Sequence, residues 1–105
     1  MVVEIKTDEE FKSTLEKSGD SLIVVDFFAT WCGPCKSIAP KLQELSEQMT
    51  DVIFLKVDVD EFPDLAAEYN INSMPTFIFI KGGKVLETFS GANYEKLKLV
   101  LQKHM

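Results

Sequence analysis

The chain contains only two cysteines, Cys32 and Cys35, which lie three positions apart in the segment Trp-Cys-Gly-Pro-Cys-Lys at 31–36. The preceding segment 22–28 is almost entirely apolar, which predicts a buried strand. The residues after Pro34 have helical spacing, so both thiols should lie at a strand-to-helix turn. A cysteine at a helix N-terminus faces unpaired N–H groups and the positive end of the helix dipole, and both favour the reactive thiolate. The pair therefore predicts thiol–disulfide exchange.

Three other roles for the cysteine pair compete with exchange chemistry. A zinc site usually needs four ligands, but the chain has no second cysteine pair and its only histidine is His104. A structural disulfide over so short a loop adds only about 2 kcal/mol of stability. Two inert cysteines in the core are the third alternative, because free cysteine is often buried. Exchange chemistry is the favoured interpretation of the four.

Length and composition indicate a small globular protein. The 105 residues are 46% hydrophobic, enough for one core, so we expect a single domain over 1–105. The net charge of −6 argues against a nucleic-acid partner or an anionic membrane surface. No apolar run approaches a membrane span, and residues 1–6 do not have the composition of a signal peptide. The two closely spaced cysteines favour a reducing compartment, the cytoplasm and also the nucleus.

Five segments are predicted to be strands. They are 2–5, 22–28, 52–59, 76–81 and 85–89. Segment 52–59 is nearly continuous in apolar character, which favours a central position in the sheet. The last two segments flank Gly82-Gly83 and should form an antiparallel hairpin.

Four segments are predicted to be helices. Thr7 and Glu10 form a capping box for the first helix, and the second begins after Pro34 and should kink at Pro40. Helices over 64–69 and from Tyr94 complete the order βαβαβαββα. This order predicts an α/β fold with a mixed sheet and helices on both faces.

Asp26 is the one charged residue in the apolar segment 22–28. Burial disfavours a charged carboxylate, so the pKa of Asp26 should be raised. One interpretation is catalytic, with Asp26 accepting a proton from Cys35. The other is a structural ion pair with Lys56 on the adjacent strand. The residues alone leave both interpretations open.

Three motifs, in order along the whole chain, resemble those of the thioredoxin family. They are Trp-Cys-Gly-Pro-Cys at 31–35, Met-Pro-Thr at 74–76 before the predicted hairpin, and Phe-Ser-Gly-Ala at 89–92 after it. Ala-Thr-Trp at 29–31 and Val-Asp-Val-Asp at 57–60 are similar to the eukaryotic cytosolic branch. The resemblance implies the thioredoxin fold, a mixed five-stranded sheet flanked by four helices, and a protein-disulfide reductase.

The order of residues in the motif predicts their roles. Cys32 should be the more exposed thiol and attack a substrate disulfide, after which Cys35 attacks Cys32 and releases the reduced substrate. Gly33 lets the turn form, and Pro34 adds no donor or charge beside the thiolate, which indicates a reductant. Because there are no other thiols, oxidation should give a Cys32–Cys35 disulfide. The resemblance also favours the catalytic interpretation of Asp26, with Lys56 as its modulating partner.

A substrate-binding surface is expected around the cysteines. Trp31 should form one wall, with its indole N–H bonded to an acceptor such as Asp60, unless it is simply a core aromatic. The resemblance implies a cis bond before Pro75, which leaves the backbone of Met74 free to pair with an extended substrate; an ordinary proline at a strand start is the alternative. The predicted substrate-binding residues are Trp31, Asp60, Met74, Pro75, Gly91 and Ala92.

The resemblance implies further properties of the protein. It needs no bound cofactor or metal, and it receives electrons from NADPH through a flavoprotein thioredoxin reductase. Its substrates are proteins with disulfides, of the peroxiredoxin or ribonucleotide-reductase type, and it acts as a monomer. Two other classes stay open: an oxidase or isomerase of the secretory pathway, and a redox-sensitive binding subunit without catalysis. Regulation through additional cysteines, known in the family, is not available, because Phe62, Tyr69 and Ser73 occupy the corresponding region.

Overall fold

The computed structural model describes residues 1–105 and confirms the predicted order of elements. The strands are β1 (Val2–Glu4), β2 (Ile23–Phe28), β3 (Ile53–Asp58), β4 (Thr76–Lys81) and β5 (Lys84–Ser90). The helices are α1 (Asp8–Lys17), α2 (Gly33–Gln48), α3 (Pro63–Glu68) and α4 (Tyr94–His104). No helix combines the length and the apolar character that crossing a membrane requires.

Helix α1 begins at the predicted cap. Thr7 Oγ1 accepts a 3.0 Å hydrogen bond from the N–H of Glu10. The Glu10 carboxylate in turn accepts a 2.7 Å bond from the N–H of Lys6, one residue earlier than the capping-box motif requires. The cap therefore satisfies donors on both sides of Thr7 and fixes where the chain leaves β1.

The five strands form one mixed sheet in the order β1-β3-β2-β4-β5. Strands β1 and β2 run parallel to β3, whereas β4 is antiparallel to β2 and β5 is antiparallel to β4. The predicted five-stranded mixed sheet is confirmed. Strand β3 is interior, as expected, and the middle strand of the five is β2. Every β2 residue up to Phe27 is buried, whereas Lys56 of β3 is partly exposed.

Side chains of β2 alternate between two cores, one on each face of the sheet. Val24 packs with Phe77 and Phe79 against helices α2 and α4. Ile23, Val25 and Phe27 pack against α1 and α3 on the other face. Each fully buried side chain of this size contributes about 2 kcal/mol. Asp26 follows the same alternation and therefore points to the α2 face, toward the cysteines.

Helix α2 begins immediately after Cys32 and carries Cys35 in its first turn. Pro34 occupies an early helical position, where a missing N–H breaks no hydrogen bond. The helix continues through Pro40 and buries Ile38, Leu42 and Leu45 against the sheet. This packing fixes the helix N-terminus, and with it the cysteine pair, at the carboxyl end of β2.

Candidate active site

Cys32 and Cys35 form a disulfide at the turn between β2 and α2, with a Cα–Cα distance of 5.3 Å. Both residues are buried, Cys32 with 6% and Cys35 with 4% of its surface exposed. The expected difference in exposure is therefore small in the disulfide form. Ala29 and Met74 pack beside the two cysteines. Exposure alone does not distinguish the attacking thiol from the resolving thiol.

Hydrogen bonding does distinguish the two sulfurs. The backbone N–H of Cys35 donates to Cys32 Sγ at 3.2 Å, which makes Cys32 the N-cap residue of α2. Cys32 Sγ also lies 3.5 Å from the carbonyl oxygen of Met74. A first-turn N–H of this kind has no partner within the helix and stabilises a negative charge on the atom it contacts. The local geometry therefore favours the thiolate at Cys32.

The loop before β4 reaches the disulfide through Met74. The Met74–Pro75 peptide bond is cis, as the resemblance implied. The carbonyl oxygen of Pro75 accepts a 2.8 Å bond from the N–H of Gly91, which joins the end of the β5 segment to this loop. Thr76 Oγ1 donates to the carbonyl of Ser73 at 2.6 Å and holds the loop from the other side. Ala92 follows Gly91 and is exposed.

Trp31 lies beside the disulfide on the surface of the protein. Its side chain is 66% exposed, so the alternative of a core aromatic was wrong. The indole Nε1–H donates a 2.9 Å hydrogen bond to Asp60 Oδ2, the partner predicted from the sequence. The N–H of Asp60 donates in turn to Asp58 Oδ1 at 2.9 Å. The ring is thus anchored at its polar edge and leaves its face open to solvent.

Asp26 lies behind the disulfide and lines a cavity of about 700 Å³ that Cys35 also lines. Only 4% of the Asp26 surface is exposed, and Oδ1 has no hydrogen-bond partner. Burial raises the pKa of Asp26 to about 7, although the positive charge of Lys56 opposes the rise. The predicted direction of the pKa shift is therefore confirmed.

Lys56 is the register partner of Asp26 on β3, but its ammonium group pairs elsewhere. Lys56 Nζ lies 3.9 Å from Glu4 Oε1 and 4.6 Å from the centre of the Phe28 ring. No cation lies within ion-pair distance of the Asp26 carboxylate. The alternative of a structural Asp26–Lys56 ion pair was therefore wrong. The Lys56 side chain keeps a third of its surface in solvent, and its ammonium group lies at the cavity mouth rather than beside the buried carboxylate.

Glu4 and Gln43 also line this cavity and were not predicted from the sequence. Gln43 accepts a 3.2 Å bond from the N–H of Val2 and so ties β1 to α2. Glu4 is the register partner of Lys56 on β1. In the sequence, Glu4 is noticeable as the charged residue of the short apolar segment 2–5. That Lys56 is its neighbour depends on a strand pairing that the sequence does not reveal.

Fold and site together define a small α/β protein whose cysteine pair carries out thiol–disulfide exchange. The family model described as Thioredoxin matches residues 2–103. The chain is 52% identical to Thioredoxin-T of Drosophila melanogaster over 99% of this chain and 67% of that protein. It is 50% identical to human thioredoxin over 98% of both chains. The structure of Fasciola hepatica thioredoxin superposes with a TM-score of 0.95 at 45% identity, covering 98% of this chain and 99% of that one.

The chain belongs to the thioredoxin family. It is accordingly a thiol–disulfide oxidoreductase that reduces protein disulfides, with Cys32 and Cys35 as its redox-active pair. Thioredoxins need no bound cofactor, because the dithiol itself carries the two electrons. Family membership does not favour the secretory oxidase or the purely binding subunit considered from the sequence.

Proposed function

We propose that Cys32 attacks the substrate disulfide and that Cys35 resolves the intermediate. The Cys32 thiolate bonds to one substrate sulfur, and the substrate S–S bond breaks to release its other sulfur as a thiolate. Cys35, after losing its proton, then attacks Cys32 Sγ, closes the Cys32–Cys35 disulfide and releases the second substrate thiolate. The hydrogen bond from the Cys35 N–H to Cys32 Sγ is the observation that carries this assignment. Gly33 and Pro34 shape the turn without adding a charge.

Asp26 accepts the proton that Cys35 must lose in the second step. A carboxyl with a pKa of about 7 is partly ionised at neutral pH and is therefore suited to general base catalysis. The cavity shared by Asp26 and Cys35 supports the assignment, because it has room for a water that relays the proton. Lys56 modulates the reaction through its charge.

The substrate binds across the surface around Cys32. The open face of Trp31, anchored by Asp60, supports contact with an apolar side chain of the substrate. The 3.5 Å distance between Cys32 Sγ and the carbonyl oxygen of Met74 supports pairing of the Met74 backbone with an extended substrate segment. The proposed surface comprises Trp31, Asp60, Met74, Pro75, Gly91 and Ala92.

The reduced form is regenerated by a flavoprotein thioredoxin reductase that uses NADPH, as family membership supports. The substrates are disulfide-containing proteins, with peroxiredoxins and ribonucleotide reductases as the expected types. Residues 1–105 act as one thioredoxin domain and as a monomer. The small number of cysteines supports a reducing compartment, the cytoplasm and the nucleus.

Reduction of insulin, coupled to NADPH and a thioredoxin reductase, tests the proposed function. The wild type should consume NADPH continuously, because each cycle returns the dithiol. Cys32→Ser should abolish turnover, and Cys35→Ser should also stop the cycle while retaining insulin as a covalent adduct. NADPH consumption by the Cys32→Ser variant at the wild-type rate would contradict the assignment of the attacking thiol. A wild type that reduces insulin with a chemical dithiol but not with the reductase would contradict only the electron source.

A further inference from the structure

Three charged side chains form a row across the parallel part of the sheet. Glu4 of β1 is in register with Lys56 of β3, which is in register with Asp26 of β2. Register partners on neighbouring strands point to the same face, so all three side chains face α2 and line the same cavity. The charges alternate along the row, with the single ammonium group between two carboxyl groups.

The ammonium group is not shared equally between the two carboxyl groups. Lys56 Nζ lies 3.9 Å from Glu4 Oε1, whereas the buried Asp26 has no ion-pair partner and its Oδ1 makes no hydrogen bond. The Lys56 and Glu4 side chains are 33% and 35% exposed, so their pair lies at the mouth of the cavity. The bond from the Val2 N–H to Gln43 ties β1, the strand that carries Glu4, to α2.

We propose that Glu4 is a positioning residue for proton transfer at Asp26: its carboxylate holds the Lys56 ammonium group at the cavity mouth and so keeps it from neutralising Asp26. This inference rests on the proposed role of Asp26 as the proton acceptor for Cys35. A lysine that paired directly with Asp26 would keep the carboxyl ionised and make it a weak base. Glu4 therefore maintains the proton affinity that the resolving step needs.

The charged groups around Asp26 determine in which direction the loss of Glu4 shifts the pKa of Asp26. Four titratable side chains line the cavity together with Asp26. They are Lys56 of β3, Glu4 of β1, and Cys35 and Lys36 of α2. Loss of the Glu4 charge removes one negative group and frees Lys56 to approach Asp26, and both changes favour the ionised form. The elevated pKa of Asp26 agrees with an ammonium group held away from it. Removal of Glu4 should therefore lower the titration midpoint of Asp26.

The oxidised protein gives the clearest test, because its cysteines do not titrate. The side-chain carboxyl signal of Asp26 is followed by 13C NMR against pH in the wild type, Glu4→Gln and Glu16→Gln. Glu16 is an exposed residue of α1, on the opposite face of the sheet. Its substitution makes the same change in net charge as Glu4→Gln but lies outside the cavity. Glu4→Gln should lower the Asp26 midpoint by about one pH unit, while Glu16→Gln should leave it unchanged. Glu4→Asp, which retains the charge, should restore most of the wild-type midpoint.

An unchanged midpoint in Glu4→Gln, or an equal shift in Glu16→Gln, would overturn the proposal. Chemical denaturation of each variant verifies that the fold is intact. The rate of insulin reduction against pH then separates this inference from the role of Asp26. Glu4→Gln should shift that profile to lower pH in the wild-type background and have no effect in an Asp26→Asn background. If Asp26→Asn itself leaves the profile unchanged, Asp26 is not the base, while the NMR midpoint still decides whether Glu4 positions Lys56.

Discussion

The backbone N–H of Cys35 donates a 3.2 Å hydrogen bond to the sulfur of Cys32. In the proposed mechanism, the N–H of the resolving residue, in the first turn of α2, thus stabilises the charge on the attacking residue that caps this helix. Exposure contributes little to this asymmetry, since the two residues are 6% and 4% exposed. The difference in reactivity should therefore arise from electrostatics at the helix N-terminus.

Alkylation of the reduced protein tests this asymmetry. A hydrogen bond to a charged group contributes about 1.5 kcal/mol or more, which corresponds to at least about a tenfold difference in thiolate population. Iodoacetamide at neutral pH should consequently label Cys32 well before Cys35, as read by mass spectrometry of partly labelled protein. The Cys35→Ser variant, which keeps its N–H, should label Cys32 at a similar rate. Label found mainly on Cys35 would reverse the assignment.

Asp26→Ala should change how stability depends on pH. The folded pKa of about 7 lies above the ordinary value of 3.8, so the uncharged form is favoured by folding. The wild type therefore has its full stability below about pH 4 and loses up to about 4 kcal/mol as the pH rises to about 7. The variant lacks this loss, so its unfolding free energy, measured with urea, should gain on the wild type across that range. Parallel stability curves for the two proteins would contradict a buried Asp26 carboxyl with a raised pKa.

The same substitution should slow catalysis. Without Asp26, Cys35 must lose its proton to solvent, so insulin reduction by Asp26→Ala should be slower at neutral pH by about a hundredfold. The formation of the mixed disulfide, observed with a Cys35→Ser background, should be much less affected, because it does not need the Cys35 proton. Equal turnover of Asp26→Ala and wild type from mildly acid to neutral pH would leave Asp26 with a structural role alone.

Asp60→Ala should release the ring of Trp31 without unfolding the protein. The substitution removes one exposed hydrogen bond, so stability should fall by no more than about 1 kcal/mol. Trp31 is the only tryptophan, so the fluorescence anisotropy of the protein reports directly on the mobility of its ring. Anisotropy should decrease, and the KM for insulin should rise. Asp64→Ala, a substitution of an exposed carboxylate on α3, is the matched control and should change neither quantity.

The elements of the fold and the residues nearest the cysteines were predictable because their signals are local. Apolar runs, the cap at Thr7 and the Gly82-Gly83 turn are each contained in a few consecutive residues, and all appear where expected. The partnership of Trp31 with Asp60 was also predicted, from the need of an indole N–H for an acceptor near the thiol. Family resemblance supplied the cis bond before Pro75, which the residues alone would not have indicated.

The surroundings of Lys56 were not predictable, because they depend on the register of three strands distant in sequence. Proximity to Asp26 on the adjacent strand suggested an ion pair, but the pairing of β1 with β3 places Glu4 on the other side of Lys56. An ammonium group at a cavity mouth keeps more of its hydration than one drawn toward a buried carboxyl. The middle position of β2 was missed for a related reason: apolar content identifies an interior strand but not its place in the order.

Oxidation of the intact protein should yield the internal disulfide and no covalent dimer. The Cα atoms of Cys32 and Cys35 are 5.3 Å apart in the disulfide, and the chain has no other cysteine. Closure within one chain has a high effective concentration that a second chain at micromolar concentration cannot match. Wild-type protein treated with diamide should therefore lose both thiols and remain monomeric on a non-reducing gel. Cys35→Ser, which keeps Cys32 without a resolving thiol, should form some reducible dimer, and Cys32→Ser, with the less activated thiol, should form less. Abundant disulfide-linked dimer from the wild type would mean that the pair does not close readily, and the second step of the exchange mechanism would then fail.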